Sequence, residues 1–369
     1  MKKAFKIASI TVLGLLIIIV GYVLYMQFQY YRIEDNLDLN SQINNNQDSI
    51  VTLDTELSIS TYNIGFGAYN REFSFFMDSG VMLDGTKVNG SGSRAKSKDV
   101  VLQNTNGAIE IMNTLNPDFM LFQEVDIKST RSHKVNQLDM INRNFEFHGS
   151  VFASNFHSAF LFYPILNPHG STSSGIATLS KYKIENSLRR KLPIDEGFLN
   201  KFFDLDRAFT ISRFKASDKE LVIINVHLSA YDEGGVYRKQ QLELLNTVLE
   251  DERAKGNYVI AGGDFNHDIA GSLNLFETTQ EVPEWVYVLE EEDLADGYKF
   301  ATSNVNPTCR STDLEYTEGV NYSVVIDGFI VSENIDIVSV ENIVKLGLQD
   351  VNFLYSDHNP VILKFKLKG

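Results

Sequence analysis

The sequence predicts an α/β fold in which two sheets pack face to face with helices outside them, behind one long apolar helix at the N-terminus. Three observations predict it. Short β-rich runs recur from Leu53 onward, namely LSISTYNI, DFMLFQEV, GIATLSKYKI, AFTISRF, LVIINVHLSA, YVIAGGDF, VVIDGFIVS and VILKFKL. Helical stretches separate only some of them, so most are too closely spaced for alternating βαβ units. The first 31 residues carry no charge after Lys6.

That N-terminal segment opens with Lys2, Lys3 and Lys6 and continues through IASITVLGLLIIIVGYVLYM, enough to cross a hydrocarbon core of about 20 helical residues. The lysines keep the N-terminus inside, with Tyr25, Tyr30 and Tyr31 as an interfacial belt on the far side. A cleaved signal peptide is the rival reading, but the run leaves through YVLYMQFQYY, which lacks small residues at an A-x-A-like site. Residues 1–31 therefore read as an uncleaved transmembrane anchor. Residues 32–52 are rich in Asn, Asp and Gln and read as a polar linker. Residues 53–369 read as one folded domain.

Within that domain, Asp99–Leu115 and Tyr237–Lys255 carry helical spacing. The Gly- and Ser-rich stretch 76–98 reads as a mobile loop ending in the basic run SRAKSKD, more often solvated than bound to a second phosphate. The remaining runs are strands. Of 369 residues, 43% are hydrophobic and 22% charged, ordinary for a globular core. Net charge is −15 and the pI is near 4.9, which excludes a global basic field for nucleic acid or anionic lipid and suits a divalent cation. Cys309 is the one cysteine, so no internal disulfide forms.

Several strands end in an acid, amide or imidazole: Asn63 in STYNIG, Glu124 in LFQEVD, His227 in NVHL, Asp264 and Asn266 in GGDFNHD, Asp327 in VIDGF, and Asp357 with His358 in YSDHNP. Each alone is an ordinary turn or structural residue; two sheets converging at one rim would gather them. Hard cations such as Mg²⁺ take carboxylate oxygen, water and substrate phosphate, a need that Glu124, helped by Asn63 and Asp357, meets. Asp264 can orient or deprotonate a water, while Asn266, His227 and His358 can hold phosphate oxygens. Asp327 is the partner that would fix the His358 tautomer. His267 and Asp268 read as structural, and His133, His148, His157 and His169 as loop residues without metal-ligand spacing.

Taken with Ser180 in GIATLSKY, these motifs resemble the endonuclease/exonuclease/phosphatase family, in the family's order from about Leu53 to Leu367. The resemblance implies a four-layer α/β sandwich with two central, mostly antiparallel sheets flanked by helices. It also implies a Mg²⁺-dependent phosphoesterase site, with Mn²⁺ as an alternative ion. Carried over residue by residue, Glu124 is the main metal ligand, Asn63 an auxiliary one, and Asp357 joins or supports the metal shell. Asp264 positions the water, His227 and Asn266 bind phosphate, and Asp327 with His358 form the acid pair. Arg207 in DLDRAF stands where the deoxyribonuclease branch places a phosphate-contacting arginine, or is a surface arginine beside Asp204 and Asp206.

The His227 strand lacks the tyrosine expected of abasic-site enzymes, and GVNYSVVIDGF lacks the signature of inositol-phosphate phosphatases. Nothing matches the membrane-inserting hairpin of secreted bacterial sphingomyelinases. The sequence thus reads as a membrane-anchored, extracytoplasmic phosphoesterase of bacterial type. Its substrate is a mono- or diester, with a phospholipid headgroup or lipid-linked phosphate first and extracellular nucleic acid second; aromatic NFHSAFLFYP could face lipid. No protein partner is indicated. A catalytically dead binding module is the rival of another class, but such a relative is expected to have lost a metal ligand or the Asp-His pair.

Overall fold

The computed structural model describes residues 2–41, 43–44, 49–197, 201, 206–230 and 235–369. Its element order is α1 (Lys2–Gln29), β1 (Leu37–Asp38), β2 (Ile43–Asn44), β3 (Leu57–Asn63), α2 (Lys98–Leu115), β4 (Phe119–Asp126), α3 (Gln137–Asn144), β5 (Gly149–Leu161), β6 (Gly170–Ser180), β7 (Asn186–Lys191), β8 (Ala208–Ala216), β9 (Lys219–His227), α4 (Val236–Ala254), β10 (Tyr258–Asp264), β11 (Tyr298–Ala301), β12 (Asp327–Ser332), β13 (Ile335–Asn342) and β14 (Val361–Leu367), with smaller pairs between. Two seven-stranded sheets result, ordered β1-β7-β8-β9-β10-β12-β11 and β13-β14-β3-β4-β6-β5-β2.

Each sheet is antiparallel except at its centre. There β9 runs parallel to β10 and β3 parallel to β4, and parallel neighbours need a crossover. The two helices legible in the sequence supply it: α4 joins β9 to β10 and α2 joins β3 to β4. The Ser97 side chain accepts from Val100 N at the start of α2, and Asn116 ends it in a left-handed conformation, so both termini are capped.

Three apolar layers hold the sandwich. Between the sheets lie Ile59, Leu121, Ile223, Ile260, Phe329 and Leu363. Leu245, Val248 and Leu249 of α4 cover the outer face of the first sheet on Val222, Ile224 and Val259, and Ile109 and Met112 of α2 cover the second on Met120 and Phe122. Each such side chain contributes about 1.5–3 kcal/mol when fully buried. Near the functional rim the interlayer turns polar: Gln123 Nε2 donates to Asn225 Oδ1 at 2.8 Å, and Asn225 Nδ2 to Ala177 O at 2.9 Å. These bonds cross between sheets and fix their separation beneath the site.

The structure differs from the sequence reading in four places. Most of NFHSAFLFYP is the end of β5, thirteen residues long and paired along β6, and only its tip is a connection. Stretch 76–98 is not simply a loop, because Ser79–Val81 and Lys87–Asn89 pair as a hairpin and its basic end opens α2. Lys96 there meets Glu72 and Glu315. Inside the expected spacer, Leu37–Asp38 pairs with β7 and Ile43–Asn44 with β5; residues 42 and 45–48 lie outside the described residues. His157 sits on β5, not in a loop.

Among the described residues one helix, α1, is long and apolar enough to cross a membrane, as a signal sequence would also be.

Candidate active site

The parallel strands at each sheet's centre end at one rim, and the polar residues sit at those ends. Asn63 closes β3, Glu124 falls near the end of β4, His227 closes β9, Asp264 closes β10 and Asp327 opens β12. Across the first sheet His227 pairs in register with Asp264, and Asp264 with Asp327, so three functional side chains occupy neighbouring strands about 4.8 Å apart. Asp357 and His358 reach the same place from the turn that leads into β14.

Backbone conformation sets the aim of these groups. A Cβ on Gly263 would lie 2.0 Å from Val226 O, at a φ of +147°, so only glycine lets β9 and β10 close up beside Asp264. Glu124 has a φ of +56°, and the β4–β6 pairing shifts register between Phe122 and Val125. A bulge of this kind re-aims a side chain, and Glu124 consequently lines the cavity.

Asp264 is the hub. Its Oδ2 accepts from Asn63 Nδ2 at 3.0 Å and its Oδ1 from Asn266 N at 2.9 Å. His227 Nε2 and His358 Nε2 lie 3.6 and 3.7 Å from Oδ2. Burial pushes the Asp264 carboxyl up to about 6, against the pull of His358 and Asn63. His358 Nδ1 lies 2.8 Å from Asp327 Oδ2. Burial alone would disfavour an imidazolium there, but Asp327 foremost among its neighbours raises its pKa well above the ordinary value. His227 goes the other way, held well below by burial and then by Arg207, and is neutral. Arg207 is buried and donates to His227 O at 3.4 Å, which corrects the surface alternative; Asp206 is buried too, and Asp204 lies outside the described residues.

Glu124 and Asp357 line the same cavity. Burial, with Glu124 adding to it, pushes Asp357 up to about 7 against the pull of His358 and Arg310. Two cavity-facing carboxylates, one so penalised, fit a hard divalent cation, whose charge would relieve both. Asp264, Asp327 and His358 also bring candidate ligand atoms within 4.8 Å of one another. Asn63 lies behind the cavity wall, its Oδ1 accepting from Gly65 N at 3.0 Å, which leaves one lone pair on that oxygen.

The cavity holds about 640 Å³. Its polar floor includes Glu124, Asp264, Asn266, His227, Asp357 and His358, and its wall Phe75, Phe76, Met77, Phe156, Tyr163 and Trp285. Asp327 stays behind His358. His267 and Asp268 are absent from the lining; Asp268 accepts from Ser272 N and Oγ and so holds its own turn.

Sequence reasoning missed Arg131, which lines the cavity, donates to Asp126 at 2.9 Å and lies 3.9 Å from Glu124 Oε2. It missed Arg310, 1% exposed, whose Nη2 donates to the Asn70 carbonyl at 2.9 Å. It also set aside His169, which lines the cavity and meets Ser93 O at 2.8 Å. None follows a strand in a polar-ended motif, so the strand-end signal passes over them. His133 and His148 lie outside the lining.

A two-sheet sandwich with acids, amides and imidazoles gathered at one rim defines a class of metal-assisted phosphoesterase folds. The Endonuclease/Exonuclease/phosphatase family matches residues 61–312. The chain belongs to that family, whose members are phosphoesterase or nuclease hydrolases, usually metal-dependent. Among solved structures, a family protein from Leptotrichia buccalis superposes with a TM-score of 0.54 at 12% identity, over 84% of this chain and 100% of that one. One from Beutenbergia cavernae gives 0.53 at 17% identity, over 85% and 72%. D. rerio TDP2, complexed with a single-strand DNA product, gives 0.52 at 14% identity, over 85% and 100%. At these identities the likeness is one of fold. No curated protein matches the sequence.

Proposed function

We propose that this chain is a membrane-anchored phosphoesterase dependent on Mg²⁺ or Mn²⁺, its catalytic domain outside the cytoplasm, and that its substrate is a lipid-borne phosphate ester. The observation that carries this reading is the row His227–Asp264–Asp327 in register, joined by His358 and sharing one cavity rim with Glu124 and Asp357. Residues 1–31, 32–52 and 53–369 remain the proposed anchor, linker and catalytic domain.

In this mechanism Asp264 orients a water and takes its proton as the water oxygen bonds to phosphorus and the P–O ester bond breaks; at about 6 its pKa leaves it ionised at neutral pH. The His358 imidazolium, held by Asp327, donates to a non-bridging oxygen. Neutral His227, Asn266 Nδ2 and the Arg207 guanidinium supply further donors, worth most in a water-poor pocket. A divalent cation held by Glu124 and Asp357, with Asn63 Oδ1 as auxiliary oxygen, would neutralise the phosphate and leaving-group charge.

The aromatic wall supports an apolar substrate part beside the phosphate. It would also stack nucleobases, so a nuclease is the second reading, which the net charge of −15 disfavours. Hydrolysis by the full-length protein is to be compared across phospholipids, lipid pyrophosphates, DNA and RNA. A lipid ester turned over at least tenfold faster than either nucleic acid supports the first reading, and the reverse order establishes the second.

A further inference from the structure

The outer end of α1 is not free of the catalytic domain. Tyr22 Oη donates to Phe160 O at 3.0 Å, and Phe160 N donates to Tyr25 Oη at 3.2 Å. Met26 and Leu161 bury each other, and the Tyr22 and Phe162 rings meet edge to face at 5.4 Å. Just beyond the helix, Tyr31 stacks on His157 at 3.9 Å, and Arg32 Nε lies 2.9 Å from the buried Asp206. Ile33 N then donates to Asp206 at 3.0 Å. The exit from the helix is therefore clamped to the sheet at several points in succession, which fixes the domain's tilt on its anchor.

Beside that clamp the β5–β6 connection presents an apolar tip. Phe162, Ile165 and Leu166 are 58%, 85% and 99% exposed, costly in water for three neighbouring large apolar residues. Leu161 at the end of β5 and Tyr163 in the connection both line the cavity, so the tip and the mouth of the site are continuous. Its height follows from helix geometry. From Lys3 to Tyr22 is 19 residues, roughly 28 Å at about 1.5 Å each, close to the roughly 30 Å of a hydrocarbon core. With the lysines at one face of the bilayer, Tyr22 stands at the other, and the tip that touches it stands at the same level.

We propose that the 160–166 connection and the outer end of α1 form one membrane-seated surface, which holds the cavity mouth against the leaflet on the catalytic domain's side. The occupant is lipid, because a patch tied to Tyr22 meets acyl chains and headgroups wherever α1 spans. Aromatic groups with one apolar and one polar end, such as Tyr163, favour that depth. This inference rests on the reading of α1 as an uncleaved span and is independent of which phosphate ester is cleaved.

The test uses the full-length protein in phosphatidylcholine vesicles, labelled with an environment-sensitive fluorophore at Leu166→Cys and, separately, at Ile165→Cys. Cys309 is buried, so the label goes to the introduced thiol. Leu348→Cys, in the Lys345–Asp350 hairpin, is the control. Quenching by lipids carrying a spin label near the headgroup is expected to be at least threefold stronger at 165 and 166 than at 348, with a blue-shifted emission. Equal quenching at the three positions, with anchoring confirmed by vesicle flotation, overturns the proposal. The outcome is separable from the substrate reading: a protein that cleaves only DNA yet is quenched at 166 keeps the seat and loses the lipid substrate.

Discussion

His358 Nδ1 and Asp327 Oδ2 lie 2.8 Å apart, both buried, with Asp327 opening β12 and His358 in the turn before β14. The bond joins the two sheets at the functional rim and keeps His358 charged and aimed at Asp264. Asp327→Asn is expected to lower kcat by about 10² to 10³, because the amide neither holds the imidazolium nor enforces its tautomer. KM should move less than tenfold. Steady-state kinetics checks this, and near-normal turnover would reduce the pair to a structural bond.

Asp264 separates chemistry from folding. It is 1% exposed and shares its site with Asp327, so its charge opposes folding while serving the reaction. Asp264→Asn should cost at least about 10² in kcat and leave the melting temperature unchanged or higher, since a neutral isostere removes a buried carboxylate. His267→Ala, outside the cavity, should keep activity within about tenfold. A large fall in melting temperature for the Asn variant contradicts the assignment.

Metal removal tests the carboxylate pair. Activity should vanish in EDTA and return with Mg²⁺ or Mn²⁺. Glu124→Gln should weaken Mn²⁺ binding, measured by calorimetry, at least about tenfold. Full activity in chelator would sink the metal-dependent reading.

Glycine is required at one point and dispensable at another. Gly263→Ala puts a methyl 2.0 Å from Val226 O, whereas Gly256, at φ +74°, has Lys219 Cε at 3.8 Å as its nearest neighbour. The first substitution should unfold or inactivate the domain, and the second should cost only about 1 kcal/mol. Parallel denaturation of both variants checks it.

A stability prediction concerns Glu252 of α4, 3% exposed and bound by Arg213 at 2.6 Å, Asn257 at 2.7 Å and Lys255 at 2.8 Å. Burial raises its pKa, but the hydrogen bonds from Arg213, Lys255 and Asn257 overcome that and bring it to about 2. A carboxyl depressed in the folded state stabilises fully above its unfolded pKa, about 4.3. That contribution is lost as pH falls through the folded value. The melting temperature should therefore fall between about pH 4.3 and 2. Glu252→Gln should flatten that slope and cost about 1–2 kcal/mol at neutral pH, because Arg213 loses a charged partner but keeps Glu220 at 2.6 Å.

Much of the fold was legible because it is written in local patterns. Helices expected over Asp99–Leu115 and Tyr237–Lys255 appear as Lys98–Leu115 and Val236–Ala254, since spacing, caps and charged faces are properties of a continuous stretch. Strand β5 was not legible along its length. In GSVFASNFHSAFL small and polar residues interrupt the apolar alternation, and it is a strand because β6 lies beside it.

The sequence by itself determined which strands would end in acids, amides and imidazoles, and that an apolar helix would precede them, because both depend on residues adjacent along the chain. Tertiary structure alone decided that His227, Asp264 and Asp327 stand in one row, that a bulge turns Glu124 into the cavity, and that Arg131, Arg207 and Arg310 are buried around it. It also decided that His358 is charged while His227 is neutral. Register, burial and electrostatic field arise between segments far apart in sequence, where one chain's order of residues carries no direct signal of distance.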